Sequence, residues 1–165
     1  MIVHIVGIIA MLCIIFSVQM KHKDKFLILQ ISGALFFGIY FILLGGYAGG
    51  ITNAILVFQG LIAFYFLKQD QTVPKYIIGI LLSITFISSL YVVNSFLDVL
   101  PLLGVVISLI IYLQSSEQRI RLLSLILAVW IPYNIYFEAH FSLITSIFFL
   151  VSTLIAIYRY DLKKT

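Results

Sequence analysis

The sequence predicts an all-α membrane protein with seven transmembrane helices, arranged as two parallel three-helix bundles joined by a linker helix, N-terminus outside and C-terminus inside. Three observations predict it. With 63% hydrophobic and only 10% charged residues and a mean hydropathy of +1.20, the chain cannot clothe itself in polar surface. Its apolar residues fall into seven stretches, and all ten Lys and Arg fall in alternate connections between them.

A bilayer core of about 30 Å needs roughly 20 apolar helical residues. The spans read as 2–19, 26–44, 50–67, 76–93, 99–113, 122–137 and 141–158. In the first, the charges Lys21 to Lys25 follow the apolar run instead of preceding it, the reverse of a signal peptide, so the helix is retained. Gly45, Gly46, Gly49 and Gly50 separate the second span from the third, because so many helix breakers favour a tight turn over one long helix. The fifth and sixth spans are short and must thin the bilayer or recruit flanking residues such as Phe96 and Leu97.

Charge fixes the orientation. With the N-terminus outside, the inner connections hold Lys21, Lys23 and Lys25, then Lys68 and Lys75, then Arg119 and Arg121, then Arg159, Lys163 and Lys164. The outer connections hold Asp98 and Glu138, in accord with the positive-inside rule. Basic groups split among short loops are not a nucleic-acid surface. Cys13 is the only cysteine, which leaves no internal disulfide and no thiolate metal cluster.

The halves repeat. At an offset of 93 residues LIAFY at 61–65 meets LIAIY at 154–158, Thr52 meets Thr145, Tyr40 meets Tyr133 and Phe37 meets Trp130; at 97, Gly7 meets Gly104. Spans one to three (residues 1–67) and five to seven (98–165) both begin outside, so the repeats are parallel and the segment 68–97 is the linker that restores orientation. Parallel repeats about an axis along the membrane normal are a transporter architecture, with solute held near the midplane.

This order of helices resembles the SWEET sugar facilitators and the PnuC nicotinamide riboside transporters. GGYAGGITNAILVFQG, LDVLPLLGVVIS and W-x-x-Y-N in the sixth span are similar to the bacterial inner-membrane YgjV family, which implies a multipass protein of the plasma (inner) membrane. SWEET-like repeats often carry a Pro-Gln kink in their first helix. Here Pro101 precedes Leu102, and the first half has His4 at the matching place.

Trp130, Tyr133 and Asn134 stand at i, i+3 and i+4 and share a helix face, beside Pro132, which removes a backbone donor and frees carbonyls. Tyr40, Asn53 and Gln59 from the first half, with Thr145, Ser146 and Ser152 from the seventh span, are expected to complete a polar, aromatic lining. Stacking rings and amides suit a sugar, a nucleoside or a similar solute. Pro101 and Pro132 are candidate hinges. The competing reading packs the same residues as helix contacts in a non-transporting scaffold or partner subunit.

The six Asp and Glu lie at helix ends or in loops, so acid–base chemistry lacks a carboxylate pair at depth. Glu138, His4 and His140 read as interfacial residues rather than a metal site, and no catalytic or cofactor motif is present. The expectation is a carrier, not an enzyme, with neither metal nor cofactor. Its partners are the lipid bilayer and a small neutral or cationic solute, with a homo-oligomer left open. Ser83, Thr85 and Ser88 on the linker are expected to bond back to their own backbone.

Overall fold

A computed structural model describes residues 2–92, 96, 99–136 and 138–162, whose regular structure is helix joined by short turns, with no strand among them. Asp98, Lys163, Lys164 and the predicted span ends Val93 and Phe137 lie outside the described residues. The helices are α1 (Ile2–Ser17), α2 (Lys23–Leu43), α3 (Tyr47–Lys68), α4 (Lys75–Val92), α5 (Val99–Leu113), α6 (Glu117–Ser124), α7 (Trp130–Tyr136) and α8 (His140–Ile157). A 3-10 segment, Leu125–Val129, joins α6 to α7, and a π turn, Tyr158–Leu162, extends α8. Counting α6, the 3-10 segment and α7 as one broken rod leaves seven helices, where seven spans were expected.

Among the described residues, three helices are long and apolar enough to cross a membrane: Lys23–Leu43, Tyr47–Lys68 and His140–Leu162. Ile2–Ser17 and Val99–Leu113, of 16 and 15 residues, are shorter apolar helices of about 24 and 22 Å at 1.5 Å per residue. Either would sit in a locally thinned bilayer. The sixth helix begins at Glu117, five residues before the predicted span, because the Ser116 side chain caps it by accepting from the Arg119 amide at 3.4 Å. Its interior breaks where Pro132 falls four residues after Ala128. The proline ring would crowd that carbonyl in a regular helix, and the preceding turn tightens to 3-10 instead.

Two of the turns match across the offset of 93 residues. After α2, the Gly46 amide donates to the Phe41 carbonyl at 2.8 Å and the Gly45 amide to Ile42 at 3.0 Å, with Gly45 at φ 79°. After α7, the Ala139 amide donates to Asn134 at 3.0 Å and the Glu138 amide to Ile135 at 3.2 Å, with Glu138 at φ 50°. Both are Schellman caps, and they sit 93 residues apart. The residues that follow, Gly46 (φ −84°, ψ 69°) and Ala139 (φ −77°, ψ 69°), open α3 and α8 with nearly the same backbone. A third such cap ends α3, where Asp70 takes φ 54°.

Packing runs around a ring. α1 packs on α2, α2 on α3, α3 on α5, α5 on the broken sixth helix, that helix on α8, and α8 back on α1, while α4 leans on α3 and α5 from outside. On α4 only Leu81 and Thr85 are buried among the described side chains. Thr85 and Ser88 bond back to the carbonyls of Leu81 and Thr85, each at 2.9 Å, as expected of linker hydroxyls, whereas Ser83 is exposed.

Cross-links gather the basic connections at one end of the ring. Lys23 Nζ donates to the Gln114 carbonyl, Lys68 pairs with Asp24 at 3.4 Å on the surface, and Arg121 pairs with Asp161. The last pair is buried: Arg121 Nε and Nη2 meet the two Asp161 carboxylate oxygens at 3.0 and 2.5 Å, with the guanidinium also over the Tyr160 ring. Arg121, expected in a loop, is thus a helical residue held by a bidentate, charge-assisted contact.

Candidate functional site

Inside the ring, where its three hydrophobic clusters meet, is a cavity of about 90 Å³. Aromatic and polar side chains from both halves line it. Phe37, Phe41, Trp130 and Phe149 form walls; Gln30, Asn53, Ser108, Ser142, Thr145 and Ser146 supply the polar groups; Ile14, Leu56 and Leu127 complete it. Three pairs of these residues are 93 positions apart: Phe37 with Trp130, Asn53 with Ser146, and Leu56 with Phe149. Residues of both halves therefore face the cavity, three pairs of them at matching sequence positions.

The polar groups are held by their own helices. Asn53 Nδ2 donates to the Gly49 carbonyl at 2.8 Å, and its counterpart Ser146 Oγ donates to the Ser142 carbonyl at 2.9 Å. Thr52 Oγ1 donates to Ala48 at 2.9 Å and Thr145 Oγ1 to Phe141 at 2.6 Å. All four bonds reach back four residues, and the two helices make them at matching places. Such bonds fix a side chain at the cost of the proton it could offer a ligand.

Trp130 lies against Gly104. A Cβ on that glycine would overlap indole Nε1 and come within 2.7 Å of Cε2, so only glycine lets the ring lie there. In the first half a Cβ on Gly7 would stand 3.1 Å from Phe141 and 3.2 Å from Tyr40. The glycine pair seen in sequence thus makes room for an aromatic ring in each half.

The predicted residues divide into three groups. Trp130, Asn53, Thr145 and Ser146 line the cavity. Asn134 stands one bond behind it, its Nδ2 donating to Ser146 Oγ at 3.1 Å while its Oδ1 is buried without a partner. Tyr133 is buried behind Trp130, edge-on at a centroid distance of 6.1 Å. Tyr40 and Gln59 lie elsewhere. Tyr40 belongs to an aromatic cluster toward the N-terminal end, edge-on to Phe141 at 5.9 Å. Gln59 is 1% exposed with neither amide atom bonded. Ser152, expected in the lining, instead accepts from Gln19 Nε2 at 2.7 Å and donates to the Ile15 carbonyl at 3.2 Å. Pro101 is buried in the first turn of α5, where a proline needs no kink, and Pro132 follows the 3-10 break.

Gln30, Ser108, Ser142, Phe37, Phe41 and Phe149 were not foreseen as lining. Gln30 carried a signal, as a lone amide within an apolar helix; it donates to Ser17 Oγ at 2.8 Å.

The helices are tied together differently toward the two ends of the ring. Toward the N-terminal end, His4 and Tyr40 rest on the Phe141 ring. Toward the basic end, Gln19 reaches across from α1 to the carbonyl and hydroxyl of Ser152 on α8, at 2.8 and 2.7 Å.

A family model described as Imp-YgjV, bacterial inner membrane protein, matches residues 1–164. No curated protein and no solved structure matches the chain significantly.

Proposed function

The chain belongs to the Imp-YgjV family of bacterial inner membrane proteins, and on that footing we propose that it is a facilitative carrier for a small neutral or cationic polar solute. The two halves, residues 1–67 and 98–165, would act as parallel three-helix bundles that rock about the cavity, with α4 as linker, the N-terminus outside and the C-terminus inside. One observation supports the reading: residues of both halves line the cavity, and three pairs of them stand 93 positions apart, as expected of a site between two rocking halves.

Two further features support it. The contacts toward the N-terminal end are aromatic and those toward the basic end are hydrogen bonds, so the two ends would part by different kinds of contact. Its lining includes no carboxylate, imidazole or thiol, which favours a carrier over an enzyme and passive movement over proton coupling. At about 90 Å³ the space falls below the roughly 300 Å³ of ordinary small-molecule pockets. A sugar or nucleoside would enter only once the halves part, whereas a solute of a few heavy atoms fits this form.

Uptake into proteoliposomes from a panel of small amides, amines, polyols and sugars tests the proposal. Saturable flux of at least one solute, reduced by Trp130→Ala and Asn53→Ala, is expected. Absence of flux for the whole panel, or flux indifferent to both substitutions, refutes it. Tags at the two termini, probed from either side of the membrane, test the orientation.

A further inference from the structure

We infer that the cavity selects small solutes rich in N–H donors, of the amide, urea, guanidinium or amine kind, over solutes that only accept hydrogen bonds; this rests on the carrier reading only for the claim that such a solute is moved. The Thr145 and Ser146 hydroxyls give their protons to the Phe141 and Ser142 carbonyls. Asn53 and Gln30 each give an amide hydrogen to Gly49 and Ser17. These four groups are left with two amide oxygens and two hydroxyl oxygens, one of which already accepts from Asn134 Nδ2, against one remaining amide hydrogen each on Asn53 and Gln30, so acceptor sites outnumber donors.

Behind them Asn134 Oδ1 is a buried acceptor with no donor, a state that costs free energy until a donor arrives. The uncommitted hydroxyls of Ser108 and Ser142 can serve in either sense. Aromatic faces add electron-rich surface, which attracts N–H groups and cations, and no Lys or Arg is among the lining residues to attract an anion. A carboxylate or an ether would set its lone pairs against those of the lining. An N–H-rich solute satisfies them. At a liquid-water share of about 30 Å³ per molecule, the cavity of about 90 Å³ holds about three waters, which suits a solute of about three to four heavy atoms.

Four probes of four heavy atoms each separate donor character from size: guanidinium, urea, oxetane and acetate. Trp130 is the only tryptophan and forms part of the wall, so its emission in the full chain, held in lipid nanodiscs without any gradient, reports occupancy. Guanidinium and urea should give saturable changes in the millimolar range, at least tenfold tighter than oxetane or acetate. Thr145→Val and Asn53→Leu should erase that preference, and the ranking in the unaltered protein decides the matter even if a variant misfolds. Oxetane or acetate binding as tightly, or no probe moving the emission, overturns the inference. Guanidinium or urea bound but never carried into proteoliposomes leaves the selectivity standing and sinks the carrier. Carried acetate or polyol without urea or guanidinium binding does the reverse.

Discussion

Gly104→Ala tests the placement of Trp130 most directly. The new methyl would overlap indole Nε1 and stand 2.7 Å from Cε2 and 3.2 Å from Cδ1, where carbon contacts settle at about 3.5–4.0 Å. The indole must therefore retreat by about 1 Å. Overpacking of this kind costs about 1–3 kcal/mol, which for a chain of this length corresponds to a fall in Tm of about 3–10 °C. Gly7→Ala is the internal control: its nearest ring atoms are at 3.1 and 3.2 Å, a few tenths of an ångström too close, so about 1 kcal/mol or less is expected. Thermal unfolding of purified protein gives the stabilities, and Trp130 emission gives the ring's displacement. A cycle with Trp130→Leu should show a coupling of about 0.5–3 kcal/mol at Gly104, because the smaller side chain leaves room for the methyl. The reasoning fails if Gly104→Ala melts with the parent and leaves the emission unchanged, or if its cost survives intact in the double variant.

Gln59→Met should raise Tm, because it replaces two unbonded buried amide atoms with an apolar chain of similar length and removes a penalty of about 1–3 kcal/mol; a lower Tm would mean that the amide has a partner in the membrane. Glu138→Gly should stabilise by about 1 kcal/mol in the same melting assay, since φ 50° strains a side chain and costs glycine nothing, while the equivalent change cannot be made at Gly45, already glycine; no gain at Glu138 would count against that cap. Arg121→Leu should cost about 3–5 kcal/mol by leaving Asp161 buried and unpaired, and Arg121→Leu with Asp161→Leu should recover most of it; equal losses in the single and double variants would show that the pair is not buried in solution.

The membrane makes some of this fold readable from residues alone. Apolar length and the positions of Lys and Arg are constraints of the bilayer itself, so the helices and the turn at Gly45 could be placed without any structure. Positions paired by the offsets of 93 and 97 residues share local roles: Gly7 and Gly104 each face a ring, and Thr52 and Thr145 each return a proton to the turn before. Polar residues on apolar helices were harder. Gln30, Ser108 and Ser142 face the cavity because of how neighbouring helices are rotated, and no local pattern encodes rotation in a span that is hydrophobic all round. Gln59 was grouped with Asn53, yet six residues at about 100° each carry it some 240° around α3, away from the lining. Arg121 was assigned to a loop by its charge; its partner Asp161 lies 40 residues on, in a turn that extends α8, and only the folded chain brings the two together.

The seam between α1 and α8 has a consequence for biosynthesis. α1 finds one of its two ring neighbours in α2, the next helix made, but the other, α8, follows only after every other helix of the ring. Until α8 enters the bilayer, Gln19 has no Ser152 to hold, and the flank of α1 that will meet α8 stands open to lipid. A chain stalled or truncated before about residue 140 would expose this open flank, together with an Arg121 that has no carboxylate. Both are features by which a membrane protease could distinguish an unfinished molecule from a finished one.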